Sequence, residues 1–377
     1  MKKILSAMLS IVISLCFIGC TSQSTISEGS QPSQSEPVNS EGLQQSQSEP
    51  VSSEGLQPSQ SKPVNSEGLQ QSQSEPVSSE GLHIVEVADG YKVVSIGTCS
   101  DANIIIPSTF NSEKVIAIEA EAFKDCNWIT SITIPNSVSS IGESAFYNCD
   151  ALTSINIPDS VASISKNMFY DCNSLTSIII PNSVSSIGES AFFNCDALTS
   201  INIPDSVASI SKNMFYDCNS LTSIVIPNSV SSIGESAFYN CNSLTNVIIP
   251  NSVSSIGKSA FSNCDALTTI DIPDSITLIG QGAFSSCDTL NSVTIGNRVH
   301  TIGAYAFMGC KALNSINIPY SVTSIGQSAL AFNRYPLIIY YEGTKKEWHN
   351  RCKYYSYFPD QSVVIHCSDG DISSRNS

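Results

Sequence analysis

A cysteine recurs every 23 residues through the middle of the chain, and several apolar columns keep the same register. A phenylalanine stands three residues before each of these cysteines, and isoleucines repeat from Ile141 to Ile325 and from Ile134 to Ile318. A fixed period of about 20 to 29 residues with apolar columns is typical of a solenoid, in which each coil buries its apolar side chains against its neighbours. The repeated cysteines are Cys126, Cys149, Cys172, Cys195, Cys218, Cys241, Cys264, Cys287 and Cys310.

Each coil contains the pattern of one short strand. Ile155 and Ile157 alternate with polar residues, so that their side chains point inward while their neighbours point outward. Pro158 then favours a turn, because its ring fixes φ. Phe169 and Cys172 are three residues apart and fit one face of a short helical turn. The sequence therefore predicts a repeat solenoid with a parallel β-sheet on one face and short helical turns and loops on the other. It has about ten coils, which at ~4.8 Å per strand makes it nearly 50 Å long.

The consensus LxxIxIPxxVxxIGxxAFxxC covers about residues 104 to 333. It resembles the BspA-type leucine-rich repeat. That resemblance implies a cell-surface protein of bacteria or of some protists, and several members of this family adhere to host matrix proteins or to other cells. The periodicity itself carries no such function.

The first 20 residues carry two lysines, an apolar run that ends at Ile18, and then Gly19 and Cys20, which together are typical of a signal peptide. The small residue before Cys20 resembles a bacterial lipobox, in which the cysteine becomes the lipidated N-terminus of the mature protein. Ordinary cleavage with release, or an uncleaved anchor, are the alternatives. Residues 21–82 repeat every 13 residues and hold too few apolar side chains to offset their chain entropy. We interpret them as a disordered tether with no binding role of its own.

The repeat becomes irregular at both ends, where a solenoid must cover its terminal coils. Asp89 and Gly90 favour a hairpin turn before the first coil. Leu330 and Asn333 replace the phenylalanine and the cysteine of the last coil. Residues 337–351 resemble the C-terminal segment common in the BspA-type family, which implies a strand followed by a short helix. The predicted segments are a signal peptide at 1–20, a disordered stalk at 21–82, an N-terminal cap with the first irregular repeat at 83–122, the solenoid at 123–333, a C-terminal cap at 334–368 and a disordered tail at 369–377.

Charge and motifs exclude several classes of function. With 33 acidic and 17 basic residues the formal net charge is −16, which disfavours nucleic acid and would also repel an anionic membrane surface. The sequence contains no GxSxG, GxGxxG, P-loop or HExxH motif. We therefore predict a non-catalytic protein without a cofactor.

The repeated cysteines are predicted to be buried free thiols. One cysteine per coil forms a line, whereas a zinc site needs ligands that converge on one point, so no metal site is predicted there. Asn333 in the last coil indicates a small inward side chain that bonds loop backbone. A separate cluster of His349, Cys352, His366 and Cys367 leaves three interpretations open, which are cap packing, a Cys352–Cys367 disulfide and metal binding.

Two columns of outward side chains are candidate binding sites. The sheet-face column combines hydroxyl and amide groups with aliphatic side chains, which suits a protein or glycan ligand, although such residues also simply favour strands. The aromatic column suits a sugar or a partner, although such columns more often pack between successive turns. The sheet-face column is Thr133, Asn156, Ile179, Asn202, Val225, Ile248, Asp271, Thr294 and Asn317, and the aromatic column is Tyr147, Tyr170, Phe193, Tyr216 and Tyr239.

These observations together favour a surface protein that recognises an extracellular protein or glycan, on a matrix or on another cell, through its solenoid. We expect it to be exported and to touch the membrane only through its N-terminal lipid. The alternative hypothesis is a structural or self-associating module of the cell envelope.

Overall fold

The computed structural model describes residues 78–334, 336–351 and 363–373. The predicted signal peptide with Cys20, the predicted stalk up to residue 77, Cys352 and the final four residues lie outside the described residues. Within them the chain forms a parallel β-solenoid of about 11 turns of ~23 residues with almost no helix. The predicted repeat solenoid is thereby confirmed.

The first side of each coil is a strand of three or four residues. The second residue of each strand is buried and the residues beside it point outward, because side chains alternate across a strand. The strands of neighbouring coils pair in parallel and in register within four successive groups, so that Ile178 lies opposite Ile155 and Ile179 opposite Asn156. The strands on this side are β3 (Asn103–Ile105), β6 (Ser131–Thr133), β8 (Ser154–Asn156), β10 (Ser177–Ile179), β12 (Ser200–Asn202), β13 (Ser223–Val225), β15 (Asn246–Ile248), β17 (Thr269–Ile272), β19 (Ser292–Ile295) and β21 (Ser315–Ile318).

The second side follows a proline turn and consists mostly of two-residue strands. Val161 N–H donates to the carbonyl of Pro158 at 3.0 Å, and this bond closes the turn in a pattern that recurs along the solenoid. An isolated bridge between Ile210 and Ile233 continues the row where no regular strand is formed. The strands are β7 (Ser140–Ile141), β9 (Ser163–Ile164), β11 (Ser186–Ile187), β14 (Ser232–Ile233), β16 (Ser255–Ile256), β18 (Leu278–Ile279), β20 (Thr301–Ile302) and β22 (Ser324–Ile325).

The third side, which holds the phenylalanines and cysteines, differs from the short helical turns that the sequence predicted. Single turns do close there, as in the 3.1 Å bond from Tyr147 N–H to the Ser144 carbonyl. Ser144 and Asn148 have φ values of 57° and 56°, a left-handed conformation that interrupts a right-handed helix. The backbone bonds the next coil instead, for example from Phe146 N–H to the Met168 carbonyl at 3.0 Å. Bonds between coils therefore replace bonds within a helix.

One hydrophobic cluster runs through all the coils. Its largest members are nine phenylalanines that are completely buried and stack on one another from coil to coil, with ring centroids 5.0 to 5.7 Å apart. Offset stacking at this separation adds to the stabilisation that burial already gives. The nine are Phe123, Phe146, Phe169, Phe192, Phe215, Phe238, Phe261, Phe284 and Phe307.

An antiparallel hairpin covers the first coil. Its two strands turn at Asp89 and Gly90, and the second strand pairs in parallel with the strand that begins the second side of the solenoid. The predicted boundary of the disordered stalk at residue 82 is wrong, because Ser79 bonds the edge of β3 and Leu82 packs against the core. The strands of this cap are β1 (His83–Val87), β2 (Gly90–Ser95), β4 (Thr109–Phe110) and β5 (Glu113–Ile118).

The last coil is covered by three further strands and a seven-residue helix. The helix begins with a capping box, in which the Glu347 carboxylate accepts from the N–H and the hydroxyl of Thr344 at 2.8 and 2.9 Å. Trp348 lies buried on its inner face. No helix in the described ranges is long and apolar enough to cross a membrane. These elements are β23 (Leu337–Tyr341), α1 (Lys345–Arg351), β24 (Val363–Cys367) and β25 (Gly370–Ser373).

The predicted disordered tail from residue 369 is corrected by β25. This strand pairs antiparallel with β24, so that Asp371 lies opposite His366 and Gly370 opposite Cys367. The pairing satisfies backbone groups at the edge of β24, which the polar composition of the segment did not indicate.

Candidate binding surface

The sheet-face column is exposed at all nine positions. Six of its side chains are polar, and the three aliphatic ones are strongly exposed: Ile179 is 68% exposed, and Val225 and Ile248 are both 73% exposed. The residues directly before and after each of them are buried, as alternation along a strand requires, so their exposure follows from the register of the fold. Large exposed aliphatic side chains in a row are the feature of this surface that most needs an explanation.

The column is continuous in space where strands pair. Asn202, Val225 and Ile248 lie directly opposite one another across β12, β13 and β15. Ile179 lies opposite Asn156 across β10 and β8. Adjacent strands are about 4.8 Å apart, so the three aliphatic side chains and the amide of Asn202 lie within one stretch of about 15 Å.

Shallow depressions lie between this column and the turns that follow each proline. One of about 330 Å³ is bordered by Val225, Ile248, Asn228 and Asn251. Another of about 330 Å³, nearer the N-terminus, is bordered by the polar residues Thr133, Asn136, Asn156 and Asp159. The surface therefore offers apolar contact in its middle and amide or hydroxyl groups beside it.

The C-terminal cap extends the column by residues that the sequence analysis missed. Tyr340 lies opposite Asn317, and His366 lies opposite Tyr340. The Tyr340 and His366 rings stack at 5.1 Å, and His366 Nδ1 lies 2.8 Å from the Asp371 carboxylate. Tyr340 is 23 residues after Asn317, so the period itself could have identified it.

The His/Cys cluster of the cap is not brought to one point. His366 contacts Asp371, whereas His349 Nδ1 lies 2.7 Å from the Lys345 carbonyl, within its own helix. Among the described residues no group of three or more His, Cys, Asp and Glu side chains is placed to hold a metal ion. Cys367 is free and half-buried, and Cys352 lies outside the described residues, so the proposed disulfide remains a prediction.

The aromatic column is a half-buried stack, with ring centroids 4.3 to 4.8 Å apart and interplanar angles of 3° to 12°. Stacked rings cover one another's faces, and a sugar would need an open face, so this geometry favours packing between coils over ligand binding. Burial is the first cause that raises the pKa of Tyr170 and of Tyr216 to about 12, which keeps both hydroxyls protonated.

The repeated cysteines are buried and free, as predicted. Each thiol from Cys149 to Cys310 donates to the carbonyl of a phenylalanine in the neighbouring coil, as Cys149 Sγ does to Phe123 at 3.1 Å. Burial raises the pKa of Cys126 to about 11 and that of Cys172 to about 12. A protonated thiol is neither a nucleophile nor a metal ligand, so this row has a structural role.

Asn333 takes the place of the cysteine in the last coil. Its Oδ1 accepts from Cys310 N–H at 2.8 Å, and its Nδ2 donates to the Leu330 carbonyl at 3.0 Å. The side chain is 5% exposed. The expectation of a small inward side chain that bonds loop backbone is therefore confirmed.

The profile of the BspA type Leucine rich repeat region matches residues 97–222 and 208–335 in six copies. The chain belongs to the BspA-type leucine-rich repeat family. This BspA-type chain is 28% identical to a leucine-rich repeat protein of T. pallidum, with a TM-score of 0.49, over 51% of this chain and 91% of that one. It is 25% identical to a leucine rich cell surface protein from Faecalibacterium prausnitzii, with a TM-score of 0.43, over 79% of this chain and 96% of that one. No curated protein matches it.

Proposed function

We propose that this BspA-type protein is a non-catalytic surface protein that binds an extracellular protein through its sheet-face column. The observation that carries the proposal is the presence of three exposed aliphatic side chains, Ile179, Val225 and Ile248, on one face of the sheet. Cover by a partner would remove their apolar area from water, which favours binding.

The chemistry of the face favours a protein over a glycan. A glycan site ordinarily presents open aromatic faces, whereas the rings of the aromatic column stack on one another. The sheet-face column contains one charged residue, Asp271. Binding through this face should therefore depend on shape and apolar contact, and should change little with salt concentration.

The test compares the binding of the full chain and of two variants to a panel of immobilised extracellular matrix proteins. The first variant carries Ile179→Lys, Val225→Lys and Ile248→Lys, which place three charges on the proposed contact. We expect at least a tenfold loss of affinity, because each lysine would have to be desolvated against an apolar partner.

The matched control carries Ser163→Lys, Ser186→Lys and Ser255→Lys. These serines are exposed at the first position of strands on the second side of the solenoid, so the control adds the same charge without touching the column. The control should bind like the unaltered chain. Equal affinity of both lysine variants for a bound matrix protein would show that the sheet-face column is not the contact.

The N-terminal part of the proposal is that Cys20 is lipidated and that residues 21–77 tether the solenoid to the cell surface. It is supported by the signal-peptide pattern and by the small residue before Cys20. Cys20→Ala should release the protein from the membrane fraction into the medium. Mass spectrometry of the mature N-terminus checks the modification directly, and an unmodified Cys20 in membrane-bound protein would contradict it.

A further inference from the structure

Residues 79–82, with the sequence Ser-Glu-Gly-Leu, are docked on the first coil of the solenoid. Ser79 N–H donates to the Ile105 carbonyl at 3.0 Å, and the Ser79 hydroxyl accepts from Ile105 N–H at 3.0 Å. Ile105 belongs to β3, which ends its sheet. Ser79 therefore satisfies an N–H and a carbonyl of a strand edge that would otherwise be free.

Gly81 fits its place only as glycine. Its φ is +87°, and a Cβ there would lie 2.7 Å from Thr98 Oγ1 and 2.9 Å from Cys99 N. Its carbonyl accepts from Thr98 N–H at 2.9 Å. Gly97, which faces Gly81 across this contact, is equally close, since a Cβ on Gly97 would lie 2.2 Å from the Gly81 carbonyl oxygen.

Leu82 completes the contact. Its side chain is partly buried and packs against the hydrophobic core. The surface formed by Gly97, Thr98, Cys99 and Ile105, which we call the cap seat, therefore selects a serine, a glycine two residues later and a leucine directly after it.

The same four-residue sequence occurs three more times in this chain. The copies lie at residues 40–43, 53–56 and 66–69, each 13 residues from the next, and all are identical to residues 79–82. Every side chain that the cap seat selects is thus present in each copy, and the sequence upstream of the docked segment supplies three spare ligands for one seat.

We propose that the cap seat is a binding site for Ser-Glu-Gly-Leu segments and that it accepts one from a second copy of this chain. One seat and three spare segments per chain make the contact heterologous, so that pairing of this kind can continue from molecule to molecule. The docked segment leads directly into β1 and has a high effective concentration at its own seat. Exchange between copies therefore occurs where chains are crowded, at local concentrations on the order of millimolar. This inference does not depend on the sheet-face column.

The experiment uses a full-length acceptor variant that carries Gly42→Val, Gly55→Val, Gly68→Val and Gly81→Val. Valine is excluded from the seat by sterics and by the positive φ, so this variant has a vacant seat and nothing to donate. The probe is a fluorescent peptide with the sequence of residues 61–73, and its matched control carries Gly68→Val. We expect saturable binding of the probe to the acceptor, binding at least tenfold weaker to the unaltered chain, and none of the control peptide.

A second variant with Ser40→Ala, Ser53→Ala, Ser66→Ala and Ser79→Ala keeps the glycine geometry and removes only the hydroxyl that bonds Ile105. It serves if the valine variant does not fold, and it too should bind the probe more tightly than the unaltered chain does. Sedimentation of the acceptor mixed with an excess of the unaltered chain should show a 1:1 complex, while the acceptor alone remains monomeric.

Three results would overturn the proposal. The first is equal binding of the probe and its control to the acceptor, which would mean that the seat does not select glycine. The second is the absence of probe binding to both the valine variant and the alanine variant. The third concerns a chain that carries Gly81→Val alone. If this chain stays monomeric at high concentration and does not bind the probe, while the quadruple valine variant does bind it, the seat is filled by another segment of the same chain and not by a second copy.

Discussion

Gly188 lies where two successive coils touch through their backbones. A Cβ at this position would lie 2.4 Å from Lys166 N, which is closer than van der Waals contact permits. The equivalent residue of the preceding coil is Ser165, whose hydroxyl donates to the Ile141 carbonyl at 2.6 Å. Glycine and serine thus alternate at this position of the coil from residue 142 to residue 234, and the later coils all have glycine there.

Gly188→Ala should destabilise the protein by about 1–3 kcal/mol, because the added methyl group forces two backbones apart. Chemical denaturation followed by circular dichroism measures the change. Ser165→Ala is the matched control, since a Cβ is already accommodated there, and its loss of one hydrogen bond should cost about 1 kcal/mol. A Gly188→Ala protein as stable as the unaltered chain would contradict the close approach.

The buried thiols should be unreactive in the native protein. Burial is the main cause of the raised pKa at Cys126 and at Cys172, and the thiolate is the reactive form. Alkylation at pH 8 followed by peptide mass spectrometry should label Cys367, which is half-buried, before any of the ten buried cysteines from Cys99 to Cys310. All ten should react after denaturation. Rapid native labelling of Cys195 would show that the coil is open.

Two aromatic stacks run side by side through the solenoid, and they differ in burial. Phe192 is completely buried between Phe169 and Phe215, with ring centroids 5.5 and 5.6 Å away. Its neighbour Phe193 is half-buried between Tyr170 and Tyr216 at 4.3 and 4.6 Å. We therefore expect the inner stack to contribute more to the free energy of unfolding than the outer stack, whose rings remain partly in contact with water.

Phe192→Ala should cost about 3–5 kcal/mol, because it removes a large side chain and leaves a cavity in a core that cannot collapse. Phe193→Ala serves as the control in the adjacent position and should cost clearly less, since its ring retains solvent contact. Both are measured by chemical denaturation. Equal losses at the two positions would mean that the outer stack is as important to the core as the inner one.

The C-terminal cap should lose stability in acid. Hydrogen bonds from the Thr344 backbone, the Tyr320 hydroxyl and the Thr344 hydroxyl lower the pKa of Glu347 to about 2, below its ordinary value of 4.5. A carboxylate whose pKa is lowered by folding stabilises the folded state fully above its unfolded pKa, and this contribution is lost as the pH falls from about 4.5 through about 2. The protection factors of the backbone amides in residues 337–351, which correct for the pH dependence of exchange in a free chain, should therefore fall across that range.

Glu347→Gln is the control for this pH dependence. Glutamine keeps an acceptor oxygen for Thr344 but does not titrate, so the protection factors of the cap should be lower at every pH and should no longer change between pH 4.5 and 2. An unchanged acid response in this variant would assign the effect to another carboxylate.

Local alternation in the sequence was sufficient to predict the strands and the sheet-face column, because Ile155 and its equivalents can be buried only if their neighbours point outward. The outer turns could not be assigned in the same way. Phe169 and Cys172 fit a helical face by spacing, whereas Asn167 and Asp171 at positive φ break the helix. The bonds that decide between these conformations come from the next coil.

Both ends of the fold were predicted less well than its middle. Ser79 bonds Ile105, which is 26 residues away, and β25 pairs with residues of β24 that are at most 9 residues away. Neither spacing follows the 23-residue period of the solenoid. Tyr340 was missed as a member of the candidate binding surface, although its spacing from Asn317 follows the period. Polar composition suggested disorder at both ends, and a few specific contacts override it.

At the scale of the whole molecule the true period of the middle coils is two coils, because residues 150–195 recur almost unchanged at 196–241. Met168 is buried between Ala145 and Ala191 in the neighbouring coils. Lys212 forms an ion pair with Glu235 at 3.1 Å in the next coil. Lys166 likewise forms an ion pair with Glu189 at 3.9 Å. Each of these lysines therefore pairs with the glutamate of the following coil, and each large buried methionine has alanine at the same position of the adjacent coils.

Deletion of residues 165–210, which removes two coils, should leave a more stable protein than deletion of residues 165–187, which removes one. The single deletion places Ala145 beside Ala191 and Glu143 beside Glu189, which creates a cavity and a like-charge contact. The double deletion preserves both pairings. Midpoints of thermal unfolding compare the two.

Chain length alone favours the opposite order, since a repeat array loses nearest-neighbour interfaces as it shortens. A lower midpoint for the double deletion than for the single one would therefore show that the alternation contributes little.

Because matched coils come in pairs, related sequences that keep the alternation should gain or lose an even number of coils in this region. Each such event moves the two ends of the molecule about 10 Å nearer or farther apart. The distance between Ile179 and Ile248 stays unchanged only if the insertion or loss falls outside the span between them.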